Sequence, residues 1–154
     1  MKHINVSVFV PHAGCPHQCS FCNQRSISGA KSQPTAQDVR DAALIAMRSS
    51  PEEIKDGEIA FFGGSFTAID RDYMIELLSS AQEFIGENGF KGIRISTRPD
   101  AVDGEICDIL EKYHVTAVEL GAQSTNDKVL AMNRRGHTRE DIFRSARLLK
   151  ERGF

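Results

Sequence analysis

Cys15, Cys19 and Cys22 fall within eight residues, in the run Gly14-Cys-Pro-His-Gln-Cys-Ser-Phe-Cys-Asn23. The spacing C-x3-C-x2-C lets three thiols grip one metal centre and leaves a fourth coordination position for something else. Thiolates are soft ligands that select zinc, copper(I) or iron–sulfur clusters. Structural zinc takes four protein ligands in a closed tetrahedron. The chain has no second C-x-x-C pair, but His12 and His17 are near enough in sequence to complete such a site. Two readings follow: an iron–sulfur cluster with an open position, or a closed zinc module. The fourth cysteine, Cys107, sits in an amphipathic helical pattern and is expected to be a small buried apolar residue.

The rest of the composition narrows the class. The chain has 154 residues, 40% hydrophobic and 26% charged, with a formal net charge of −2. That is about one domain of ordinary globular composition. No apolar run reaches the roughly 18 residues of a membrane span, and the first residues lack a signal-peptide pattern. The expectation is a cytoplasmic protein with no membrane partner, whose reduced, clustered thiols serve metal or catalysis rather than disulfides. The net charge offers no global electrostatic case for nucleic acid.

The elements that must position the cysteines alternate along the chain. Four segments carrying β-branched or aromatic residues read as strands: Ile4–Val10, Glu58–Phe62, Ile93–Thr97 and Thr116–Leu120. Between and after them lie helical patterns. Thr35 opens the first, with Asp38 as a capping-box-like partner, and it fades near Ser49. Asp70 caps the second. Glu105–Tyr113 and the short Asn126–Met132 follow, and Thr138, capped toward Asp141, opens the last, which runs to Lys150. Alternating strands and helices predict an α/β fold with a parallel sheet and right-handed crossovers. Four βα units are half of a TIM-type (β/α) barrel, so a partial barrel is expected. Residues 1–154 then form one domain, with a further strand expected after the helix that ends near Gly153.

Each strand is followed by a polar cluster. The cysteines follow the first, Gly63-Gly64-Ser65 the second, Arg98-Pro99-Asp100 the third, and Gly121-Ala122-Gln123-Ser124 the fourth. In parallel α/β folds this edge binds ligands. His12, His17 and His137 are candidates for proton relays or, more simply, loop hydrogen-bonders. Asp100 and Glu119 are site carboxylates or structural ones.

The cysteine spacing after a first strand resembles the signature of the radical S-adenosylmethionine (SAM) superfamily. The resemblance implies that Cys15, Cys19 and Cys22 hold a 4Fe–4S cluster and that SAM occupies the fourth iron. It implies that reductive cleavage of SAM yields a 5′-deoxyadenosyl radical that takes hydrogen from an organic substrate. Gly63, Gly64 and Ser65 resemble the glycine-rich loop beside the methionine part of SAM, and Phe21 the aromatic position near the adenine. Ser96-Thr-Arg-Pro-Asp100, Gly121-Ala-Gln-Ser124 and Arg135-Gly-His-Thr138 narrow the likeness. They resemble the branch containing the Elongator catalytic subunit and the oxygen-independent coproporphyrinogen oxidases. On that likeness Ser96, Gln123 and Arg135 line the SAM pocket, with the register between Arg134 and Arg135 open.

Two departures qualify the likeness. Coproporphyrinogen-oxidase relatives carry a glutamate where Ser96 stands, which favours the Elongator side. The Elongator subunit spaces its first two cysteines more widely and carries an acetyltransferase domain for which this chain has no room. The implied partners are a flavodoxin- or ferredoxin-type electron donor and a substrate that is transfer RNA on the Elongator likeness. A tetrapyrrole oxidoreductase and a non-catalytic zinc or iron–sulfur module are the alternatives.

Overall fold

The predicted strand segments pair side by side in chain order. The computed structural model describes residues 4–11, 19–22 and 32–154. Within them β1 (Asn5–Val10), β2 (Glu58–Gly63), β3 (Gly92–Thr97) and β4 (Val115–Leu120) form one sheet of order β1-β2-β3-β4. Every pairing is parallel. The helices are α1 (Ala36–Ser49), α2 (Arg71–Gln82), α3 (Gly104–Lys112), α4 (Asp127–Met132) and α5 (Arg139–Glu151). This is the α/β, partial TIM-type arrangement that the alternation predicts. The 3-10 turns at Ile54–Asp56, Phe66–Ala68 and Pro99–Ala101 have no periodic signal in the sequence.

Side-chain alternation along the strands separates two faces. Val6, Val8 and Val10 of β1 are buried, while Asn5, Ser7 and Phe9 point to the other face and are exposed. On the buried face Ile59, Phe61, Ile93 and Ile95 join Val39 and Ala43 of α1, Met74, Leu77 and Leu78 of α2, and Ile106 and Leu110 of α3. Phe61 stacks on Phe66 at 4.7 Å between ring centroids, carrying the core up to the loop after β2. Cys107 lies in a second cluster with Val102 and Leu149, and burial pushes its thiol pKa up. It is the buried apolar residue that the pattern predicts.

The opposite face is polar. Arg94 reaches Glu58 at 2.7 Å and Glu119 at 3.2 Å, so one guanidinium bridges β2, β3 and β4. Ser96 donates to Glu119 at 3.1 Å, directly across the β3–β4 register. A register shift at Ile93/Arg94 leaves Thr116 as the extra residue, and its hydroxyl donates to Glu58 at 2.8 Å. Glu119 is thus part of a structural ion network.

The starts of α1, α2 and α5 carry the caps that the sequence predicts, and Asn126 adds one at α4. Thr35 with Asp38 and Thr138 with Asp141 form capping boxes, and Asp70 and Asn126 accept from backbone N–H groups of the first turn. At the far end of α5 the Gly153 N–H bonds Lys150 O and the Phe154 N–H bonds Leu149 O, with Gly153 at φ +86. That pair is the Schellman arrangement, and it turns Phe154 back onto the core. The Asp141 carboxyl is held below its ordinary pKa, chiefly by the Thr138 backbone N–H. Thr138→Ala removes one half of this box and should lower unfolding free energy by about 1 kcal/mol, measured by urea denaturation.

Candidate active site

Cys19 and Cys22 lie on one turn, closed by the Cys22 N–H donating to Cys19 O at 3.1 Å. That turn is fastened far from β1. The Ser20 N–H donates to Asn133 O at 3.2 Å and the Ser20 hydroxyl to Asn133 Oδ1 at 2.8 Å. Asn133 is the C-cap of α4, so the segment after β1 meets the element after β4 on the opposite edge of the sheet. Cys19 is half-buried and Cys22 exposed, both as free thiols. Cys15, His12 and His17 lie outside the described residues.

Arg135 is the meeting point. Its Nη1 donates to Cys19 Sγ at 3.0 Å, and its Nη2 to the carbonyl of Gly121. Its guanidinium lies over the Phe21 ring, 5.7 Å from the centroid. Of the two adjacent arginines Arg135 makes these contacts, while Arg134 is exposed and holds a left-handed φ of +53. The backbone of Arg135 is pinned too: its N–H donates to Leu130 O, and its carbonyl accepts from Arg98 Nη2 at 2.9 Å. Arg98 is 7% exposed and makes a forked pair with Asp100, at 2.6 and 2.9 Å. Asp100 therefore serves Arg98 and the structure of the loop.

Phe21, Gln123 and Arg135 line a cavity of about 170 Å³ with Ser124, Val129, Leu130 and Asn133. Gln123 has φ +65 and is spanned by a bond from the Ser124 N–H to Ala122 O at 2.8 Å. Backbone strain of this kind is uncommon for a residue with a side chain and gathers at ligand sites. His137 braces the strained loop from beneath. It is buried, its Nε2 lies 3.2 Å from Ala122 O, and its Nδ1 has no partner among the described residues. Burial pushes its pKa down, so the neutral ring donates through Nε2. Of the two roles open to it, the structure gives it the loop hydrogen bond.

The glycine loop occupies the neighbouring stretch of the rim. Gly63 has φ +119, and a Cβ there would stand 2.7 Å from Val10 O. The Gly64 N–H donates to the same carbonyl at 2.9 Å. Ser65 is buried, and its hydroxyl bonds Thr97 Oγ1 at 2.9 Å while accepting from the Arg98 N–H at 3.1 Å. The Thr67 hydroxyl joins the same Thr97 oxygen at 2.7 Å. The Ser65 hydroxyl is thus engaged in tying two loops together. Ser96 faces the polar side of the sheet against Glu119, apart from the Phe21–Gln123–Arg135 group.

Arg98, Asn133 and Ser20 carry much of this geometry and were given no individual site role by sequence reasoning. Arg98 has a visible signal, an arginine two residues before an aspartate at a strand end; Asn133 and Ser20 have none. The residues present fit a thiolate-held cluster. Two thiols share one turn, a permanent cation faces one of them, as suits a thiolate, and a buried guanidinium N–H, Arg135 Nε, has no partner among the described residues.

Two consequences of this loop can be measured. His137 binds its proton less readily in the folded chain than its ordinary pKa of 6.5. The unfolded chain therefore takes up more protons between the two values, and stability present above about pH 6.5 declines as pH falls toward the folded value. His137→Gln should flatten that slope in denaturation series between pH 7.5 and pH 5. At Gln123 a left-handed residue costs about 1–2 kcal/mol, partly offset by the roughly 0.5–1 kcal/mol that a glycine loses on ordering. Gln123→Gly should stabilise the fold by about 0.5–1 kcal/mol in urea titration.

A family model described as the radical SAM superfamily matches residues 9–154. A Methanocaldococcus jannaschii protein named as a methylthiotransferase is 30% identical, covering 92% of this chain and 32% of that protein. A tRNA uridine(34) acetyltransferase of Methanocaldococcus infernus is 26% identical, covering 96% of this chain and 34% of that protein. The solved structure of archaeal Elp3 from Methanocaldococcus infernus superposes with a TM-score of 0.64 at 19% identity, over 93% of this chain and 34% of that one. The chain spans about a third of the length of these curated relatives. With the family match running from Phe9 of β1 to Phe154, past every strand-end loop just described, the chain belongs to the radical SAM superfamily.

Proposed function

We propose that Cys15, Cys19 and Cys22 hold a 4Fe–4S cluster, that SAM binds beside it, and that the domain serves a radical SAM enzyme. The observation that carries this reading is the convergence of Phe21, Gln123 and Arg135 on one cavity, with Arg135 bonded to Cys19. When bound, the cluster supplies the electron that cleaves SAM and so the 5′-deoxyadenosyl radical that takes hydrogen from a substrate. The protein's own residues bind and orient. Phe21, Val129 and Leu130 offer an apolar wall for a purine, and the strained Gln123 amide stands at its mouth. Gly63 has no room for a side chain against Val10 and Gly64 adds none, so a ligand's methionine portion can approach backbone. Arg98 and His137 hold the loops that carry Arg135 and Gln123.

For the substrate we infer transfer RNA, on the strength of the tRNA uridine(34) acetyltransferase relative. A low-potential donor of the flavodoxin or ferredoxin type would deliver the electron. The reduced thiols that this requires fit a cytoplasmic setting.

Anaerobic reconstitution with iron and sulfide tests the reading. The expected result is a 4Fe–4S spectrum that changes when SAM is added, then release of 5′-deoxyadenosine with dithionite. Cys22→Ala should abolish the cluster, while Cys107→Ala should keep iron content near that of the unsubstituted chain. Stoichiometric zinc with no iron uptake would show a closed structural module instead.

A further inference from the structure

We propose that Arg135 is a positioning residue for the cluster ligand Cys19, and that its N–H···S bond raises the cluster's reduction potential. This rests on the cluster reading above and adds a role that a pocket-lining arginine does not need.

The donor is directed at sulfur and held there. Nη1 meets Cys19 Sγ at 3.0 Å while Nη2 is committed to the Gly121 carbonyl. The planar fork makes both bonds at once only in one orientation. Phe21 covers one face of the guanidinium. The main chain of Arg135 is fixed on both sides, by Leu130 O and by the Arg98 guanidinium, itself clamped by Asp100. The remaining Nε is buried with no acceptor among the described residues. A side chain free to choose its partners would not leave that donor buried, so the fold sets the position and the Nη1–sulfur bond follows.

The sign follows from charge. Reduction adds one electron to the cluster, with no bond broken and no proton taken up, and spreads negative charge onto its sulfurs. A cationic donor on one thiolate stabilises the reduced form more than the oxidised form, so it raises the potential; hydrogen bonds to sulfur are a recognised lever on cluster potentials. Loss of the donor makes reduction harder.

The test is a redox titration of the full chain, reconstituted anaerobically and without SAM, with dithionite as reductant and the reduced cluster read by electron paramagnetic resonance. Arg135→Gln should lower the reduction equilibrium about tenfold, equivalent to about 59 mV for one electron. Arg135→Lys, which keeps the charge and loses the fork, should fall between. In both variants the iron–sulfur stretching bands of the resonance Raman spectrum should shift upward as the cysteinyl bond loses its donor. Should Arg135→Gln fail to hold a cluster, the lysine variant decides by the same two readouts. Unchanged potential and unchanged bands in a fully loaded variant would overturn this inference alone. Absence of any cluster in the unsubstituted chain would overturn the cluster reading and take this inference with it.

Discussion

The buried pair between Arg98 and Asp100 is the constraint on which the site rests. A guanidinium as buried as Arg98 is tolerable only if its charge and donors are met. Asp100, two residues on, meets two donors through a forked contact. The Nη2 group then has capacity to spare, and it spends it on the carbonyl of Arg135. Meanwhile the Arg98 N–H is taken by the Ser65 hydroxyl. One residue at the end of β3 thereby ties the loop after β2 to the loop after β4. Removing one partner of such a pair is strongly destabilising, by about 3–5 kcal/mol when fully buried. The half-exposed Asp100 carboxylate places this pair toward the lower part of that range.

The consequence is a division between the two faces and the edge. One face of the sheet is an apolar surface sealed by α1, α2 and α3. The other carries the Glu58–Arg94–Glu119 network with Ser96 and Thr116. The carboxyl edge is neither: it is built from backbone groups and short side chains that bond from loop to loop. That is why the hydroxyls of Ser65 and Thr67 both bond that of Thr97 within the rim. The same logic accounts for the left-handed backbone at Gly63 and Gln123, since a rim assembled from tight turns leaves few other conformations.

Most of the fold was readable from local pattern. The strands and the capped helices depend on alternation, β-branching and Ser/Thr/Asp/Asn at the first turn, all of which are local. Thr35, Asp70 and Thr138 each cap the helix that their position predicts. The 3-10 turns were not readable, because three residues carry no period. In the site, the residue types that meet at Arg135 were readable, and their mutual contacts were not. Ser65 and Ser96 illustrate the difference: each stands next to chemistry in sequence, yet the pleat and the tight turn direct both hydroxyls to protein partners. Asn133 and Ser20 are the converse. Nothing local marks them, because the bond between them joins residues more than a hundred positions apart.

That long-range tie explains how an arginine from beyond β4 comes to lie against a cysteine from beyond β1. The two strands are at opposite edges of the sheet, so their following loops do not meet by topology alone. The Ser20–Asn133 bonds bring the segment across. The Phe21 ring then supplies the surface on which the Arg135 guanidinium rests, and the Gly121 carbonyl fixes its rotation. Each contact is individually modest. A cation–π contact at a partly exposed site is worth about 0.5–1 kcal/mol, and a neutral hydrogen bond about as much. Their effect comes from acting on one rigid planar group whose backbone Arg98 has already fixed. The N–H that faces Cys19 is therefore set in place by four separate elements of the chain.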